Sequence, residues 1–134
     1  MADAGYSGTP LTKKLGLRGG DRALFLNAPP TYEASVDLTG VTAVTTPEAD
    51  LAFIHYFAID RLSLERDLPM LKASLRKDGI LWLSWPKRSS NVPTDLTENV
   101  IREAGLAAGL VDVKVAAIDT VWSGLKFVWR LRDR

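Results

Sequence analysis

Leu51 to Ala58 reads LAFIHYFA, an almost unbroken apolar run bounded by polar residues. A strand with one wet face alternates apolar and polar side chains. A continuous run of this kind therefore describes a strand covered on both faces, as in a parallel sheet flanked by helices. Working outward, Ala23 to Ala28 (ALFLNA) and Ile80 to Trp85 (ILWLSW) carry the same signature. Between LAFIHYFA and ILWLSW, Leu64, Leu68, Leu71 and Leu75 recur at helical spacing, with Ser63 as a cap and Asp78-Gly79 as the stop. Pro69 either kinks this helix or marks its true start, with Asp67 as the cap. Further on, Asp95 and Glu98 stand at capping-box spacing, and Leu96, Val100, Ala104 and Ala107 give a second helix one apolar face, ended by Gly109.

The two ends of the chain complete the pattern. Thr9 caps a short helix with Pro10 at its first position and Gly16 at its end. Residues 31–38 hold a helical turn, and β-branched Val41 to Thr45 forms a short strand closed by Pro47. Val111, Val113, Val115 and Ala117 alternate with more polar neighbours, as do Leu125, Phe127, Trp129 and Leu131. Joined by a turn around Asp119 to Gly124, these runs form an antiparallel hairpin. The sum is an α/β fold: a single three-layer, Rossmann-like domain with a mostly parallel sheet and an antiparallel C-terminal β-hairpin. Residues 1–8 read as a flexible N-terminus and residues 9–134 as the domain.

Composition narrows the function classes. A chain of 134 residues with 46% hydrophobic and 25% charged residues can build one self-sufficient core. The absence of cysteine fits a reducing compartment and removes thiol nucleophiles and thiolate metal sites. A net charge of +1 gives no nucleic-acid footprint, no apolar stretch is long enough for a membrane span, and the opening residues form no export signal. The expected setting is cytoplasmic, without nucleic-acid or membrane partners.

Leu15 to Ala28 (LGLRGGDRALFLNA) is similar to the segment that opens class I methyltransferases. There, a G-D-x-V-L-x-L-G-x-G run leads the first strand into a glycine turn that holds S-adenosylmethionine. The closing hairpin also resembles that family's. The resemblance implies a shortened methyltransferase-like fold, but it breaks at the cofactor turn. Phe25 stands where the family has an acidic residue, and Asn27-Ala28-Pro29 stands where it has G-x-G. Glycine permits positive φ and close backbone approach, whereas proline has a fixed φ and no N–H. The stretch from Pro30 to Asp50 is also too short for the two strand–helix units of the family's cofactor half. No cofactor is assigned.

Across nearly its whole length the chain also resembles a group of small bacterial proteins known as a domain of unknown function. The series TPL-x-K-K-L-G, W-P-K, T-D-L-T-E and W-S-G-L-K carries that resemblance. It implies a bacterial source and transfers no activity.

In open α/β sheets, ligands bind beyond the carboxyl ends of the parallel strands. Asn27 to Pro30, His55 to Arg61, Trp85 to Thr94 and Asp119 to Gly124 are expected to meet there. Candidate ligand contacts are Asn27, His55, Lys87, Arg88, Ser89, Ser90, Trp122 and Ser123. Lys87 to Ser90 places two cations and two hydroxyls ahead of a helix start, where free N–H groups favour an anion, and Trp122 is free to cover it. The alternative is a solvated loop with Asp95 filling the cap. His55, the only histidine, is either a base at the strand end or a packed, hydrogen-bonded core residue. Lys13 and Lys14 are candidate contacts for a partner or a phosphate. One histidine and no cysteine leave no conventional zinc site, and neither a G-x-S-x-G elbow nor a P-loop is present.

Three readings follow. The leading one is a non-catalytic, methyltransferase-like binding or interaction module. The second is an enzyme or binder of a small anionic metabolite at the strand carboxyl edge. The third is an oligomeric scaffold, such as a homodimer, that pairs through Leu125 to Leu131 as an open edge.

Overall fold

The computed structural model describes residues 10–134. The expected cap at Thr9 and the loose segment 1–8 lie outside the described residues. The elements run in the order α1 (Leu11–Leu15), β1 (Arg22–Leu26), α2 (Pro30–Glu33), β2 (Thr42–Val44), β3 (Leu51–Phe57), α3 (Arg61–Ser74), β4 (Leu75–Pro86), α4 (Glu98–Ala107), β5 (Leu110–Ala117) and β6 (Trp122–Trp129). They build one six-stranded sheet in the order β2-β1-β3-β4-β6-β5. The first four strands in that order are parallel, and β6 runs antiparallel to both β4 and β5. The sequence reading of a mostly parallel α/β sheet closed by a hairpin is the observed architecture.

Every residue of β3 is buried, because the sheet is covered on both sides. On one face Leu24, Ile54, Tyr56, Leu83 and Leu125 pack beneath α3 and α4. On the other, Ala23, Phe53, Phe57 and Trp82 pack with Leu15 of α1 and Tyr32 of α2. Trp82 fixes α1 by donating its indole N–H to the Leu15 carbonyl at 2.8 Å. Gly16 ends α1 in the left-handed conformation, φ 82°, as its position predicts.

Four details differ from the sequence reading. The cap of α3 is Asp60, whose side chain accepts from the Ser63 N–H, and Pro69 lies inside the helix. That helix stops at Ser74, because Leu75 already pairs with Leu51 and begins β4, with a register irregularity before Ile80 pairs with Phe53. The cap of α4 is Thr97, which accepts from Val100 N–H. Asp95 instead accepts the Arg61 N–H at the start of α3, at 2.8 Å.

The fourth concerns the edge. Leu125 to Leu131 is not an open strand, since β6 is bonded to β4 on one side and to β5 on the other. The hairpin folds back so that its first strand, β5, lies outermost. Val113 is skipped in the pairing between Asp112 and Lys114, a bulge of the kind that twists a free edge away from partners.

Candidate functional site

The lone histidine sits in the centre of β3 with no solvent exposure. Its Nδ1 lies 2.8 Å from the Tyr32 hydroxyl, and its Nε2 lies 2.7 Å from Ser84 Oγ. Tyr32 arrives from α2 and Ser84 from β4, so three separate elements converge on one imidazole. The ring stacks on Phe57 with centroids 4.1 Å apart. Burial pushes the His55 pKa down to about 3 and raises that of the Tyr32 phenol, because a low-dielectric interior penalises whichever form is charged. A neutral imidazole has one donor and one acceptor nitrogen, and the two rotatable hydroxyls complement either tautomer. Ser84 and His55 hold the atoms of a nucleophile and a base, yet both are fully buried. His55 is therefore a buried, hydrogen-bonded polar pin in the core.

The turn after β1 is a compromise. Asn27 adopts a left-handed φ of 60°, the conformation for which glycine is the default and asparagine a tolerated substitute. Its side-chain amide donates to the Phe57 carbonyl at 3.3 Å, tying the ends of β1 and β3 together. Pro29 and Pro30 follow, with Pro29 capping the four-residue α2 and Pro30 opening it. Neither proline has an N–H to offer a ligand. The chain then places Tyr32 over the sheet, 2% exposed, with its ring edge-on to His55 and Phe57 at 5.0 and 5.1 Å. Trp122 also meets Phe57 edge-on, at 5.1 Å. The protein's own aromatic rings thus pack together over the ends of β1 and β3. The turn lacks glycine, its two prolines offer no N–H, and Tyr32 packs over the strand ends.

The four segments expected along the carboxyl edge do come together there. Asn27 contacts Phe57, Thr94 donates to the Ile59 carbonyl, and Lys87 N–H donates to Val121 at 2.7 Å. Lys87 is half-buried, and Arg88 and Ser89 are exposed in a single 3-10 turn. Ser90 is consumed by the turn: its hydroxyl donates to the Lys87 carbonyl at 2.6 Å and accepts the Val92 N–H at 3.2 Å. The cations do not precede a helix start, because residues 91–97 intervene before α4. The expected dipole contribution is therefore absent at this loop. Trp122 is not a free lid but the first residue of β6, half-buried against Phe57, and Ser123 pairs with Trp85 inside the sheet. Lys13, in α1, is exposed and borders a shallow cleft of about 410 Å³ with Arg18 and Asp37. Lys14 Nζ donates to the Ala117 carbonyl at 3.2 Å. Tyr32 and Ser84 were not singled out from sequence. Ser84 was the one polar residue inside ILWLSW, a signal that a buried partner awaited it.

No family model matches the chain, and no curated protein matches it. Solved structures do. The chain is similar to a SAM-dependent methyltransferase from Aquifex aeolicus at 14% identity, covering 87% of this chain and 86% of that one, with a TM-score of 0.63. A TehB-like SAM-dependent methyltransferase from Corynebacterium glutamicum matches at 10% identity over 95% of this chain and 91% of its own, with a TM-score of 0.57. LepI in its complex with SAM matches at 14% identity and a TM-score of 0.55 over 90% of this chain, which spans only 39% of LepI. At such identities the likeness establishes the methyltransferase-like fold and nothing finer.

Proposed function

We propose that this chain is a non-catalytic, methyltransferase-like binding or interaction module, of the small bacterial group marked by the TPL-x-K-K-L-G to W-S-G-L-K series, that does not take S-adenosylmethionine in the usual way. One observation carries the reading: Tyr32, held on His55, occupies the ground above the ends of β1 and β3. The proline pair supports it by removing backbone donors where the turn would face a ligand. No exposed nucleophile–base pair stands among the described residues singled out at the edge. Calorimetric titration with S-adenosylmethionine and S-adenosylhomocysteine tests the reading. We expect no binding heat at hundreds of micromolar ligand, and a micromolar dissociation constant overturns the proposal.

A second reading places a small anionic metabolite at Lys87, Arg88 and Ser89. It is favoured by the convergence of this loop with the β5–β6 turn through the Lys87–Val121 hydrogen bond, and by the lack of an ion pair for either cation among the described residues. Replacing both cations (Lys87→Ala with Arg88→Ala) is expected to abolish such binding and leave the melting temperature unchanged. Undiminished binding in that variant rules the loop out.

A further inference from the structure

We propose that Lys14, Lys114 and Lys126 form a binding site for a compact oxyanion of the phosphate class, at the corner where α1 meets the β5–β6 hairpin. The hairpin register sets Lys114 directly opposite Lys126. Both belong to the α1 side of the sheet. Lys114 Nζ donates to the Lys14 carbonyl in α1 at 3.3 Å, and Lys126 pairs with Trp82, whose indole reaches Leu15 of the same helix. Lys14 closes the corner by donating from Nζ to Ala117, the last residue of β5.

Like charges directly opposite on neighbouring strands repel, and such pairs destabilise a sheet. None of the three lysines forms an ion pair among the described residues. Lys126 is half-buried, and burial together with Lys114 lowers its pKa below the ordinary lysine range, so the repulsion is felt. Each ammonium carries three N–H donors. The carbonyl contacts take one from Lys14 and one from Lys114, which leaves donors from all three side chains for an incoming group. A doubly charged oxyanion between Lys114 and Lys126 turns one repulsion into two charge-assisted attractions. A half-buried Lys126 set directly opposite Lys114 suits a small tetrahedral group better than an extended acidic chain. That group is either free phosphate or the head of a phosphorylated metabolite.

The test compares melting and calorimetry in inorganic phosphate with chloride at matched, low ionic strength. Wild-type protein is expected to gain more thermal protection from phosphate than from chloride. Lys114→Met combined with Lys126→Met is expected to weaken phosphate binding at least tenfold, and the Lys87→Ala, Arg88→Ala protein, measured alongside, separates this corner from the carboxyl-edge loop. Equal protection by the two salts, or undiminished phosphate binding in the double methionine variant, overturns the proposal. A loss that follows Lys87 and Arg88 instead moves the anion to the carboxyl edge and also overturns it. Lys126→Met alone, in phosphate-free buffer, is expected to melt above wild type because the repulsion is gone. A lower melting point there removes the reason for a bound anion. With ribose 5-phosphate as a second probe, tighter binding than inorganic phosphate assigns a phosphorylated metabolite, and equal binding assigns phosphate itself.

Discussion

The Tyr32 hydroxyl stands 2.8 Å from Nδ1 of His55, joining a four-residue helix to the central strand through one buried polar contact. Removing one partner strands the other. Tyr32→Phe keeps the ring and its packing yet leaves an imidazole nitrogen unpaired in the core, at a cost of about 1–3 kcal/mol. Urea unfolding should show a lower midpoint with an unchanged slope. An unshifted midpoint means the hydroxyl contributes nothing.

The same histidine sets an acid dependence. Its folded pKa of about 3 lies below the ordinary 6.5, so the unfolded chain takes up a proton that the folded chain refuses. Stability is therefore fully present above pH 6.5 and declines as pH falls towards 3, by up to about 1.4 kcal/mol per pH unit. Between pH 4.5 and 6 (roughly, above the ordinary carboxylate range) this slope belongs mainly to His55. Its replacement by Gln should flatten the profile in that window, measured as the unfolding free energy at each pH. A wild-type profile already flat there contradicts the burial of a neutral imidazole.

Asn27 allows a cleaner separation of backbone from side chain. Asn27→Gly keeps access to the left-handed conformation and loses only the amide bond to Phe57. Asn27→Ala loses the bond and adds backbone strain of about 1–2 kcal/mol. The alanine variant should therefore melt several degrees below the glycine variant, and equal melting points would mean the turn relaxes out of positive φ.

Gly105 of α4 lies tight against the sheet, where an added Cβ runs into the Phe127 ring. Gly105→Ala should destabilise by about 3 kcal/mol through overpacking. Phe127→Leu in the same chain should recover part of that loss, so a double-mutant cycle is expected to give a favourable coupling. Additive effects instead would mean the helix shifts away without resistance.

Much of the fold was legible in sequence because the sheet is covered on both sides. LAFIHYFA and ILWLSW have no polar face to confuse their reading, and the hairpin alternates in sequence although a bulge at Val113 interrupts it in the fold. Boundaries slipped where a residue served two elements. Leu75 completes the leucine spacing of α3 yet opens β4, and Asp95 matches a capping box yet bonds to a neighbouring helix. The candidate site was harder to read. Lys87 to Ser90 looked like a helix entrance because the intervening residues carry no periodic signal. Trp122 looked free because a turn and a strand start are alike in composition. Tyr32 could not be found at all: a single buried ring on a one-turn helix leaves no repeat, and its importance exists only through its contact with His55.

A protein that takes no nucleoside, as proposed for this one, gains nothing by mass action from its supply. Ordinary cofactor folds grow sturdier as their small molecule accumulates and weaker as it is depleted. If the ground above β1 and β3 is closed to the methyl donor, as proposed, this chain's folded population stays level through swings in its supply.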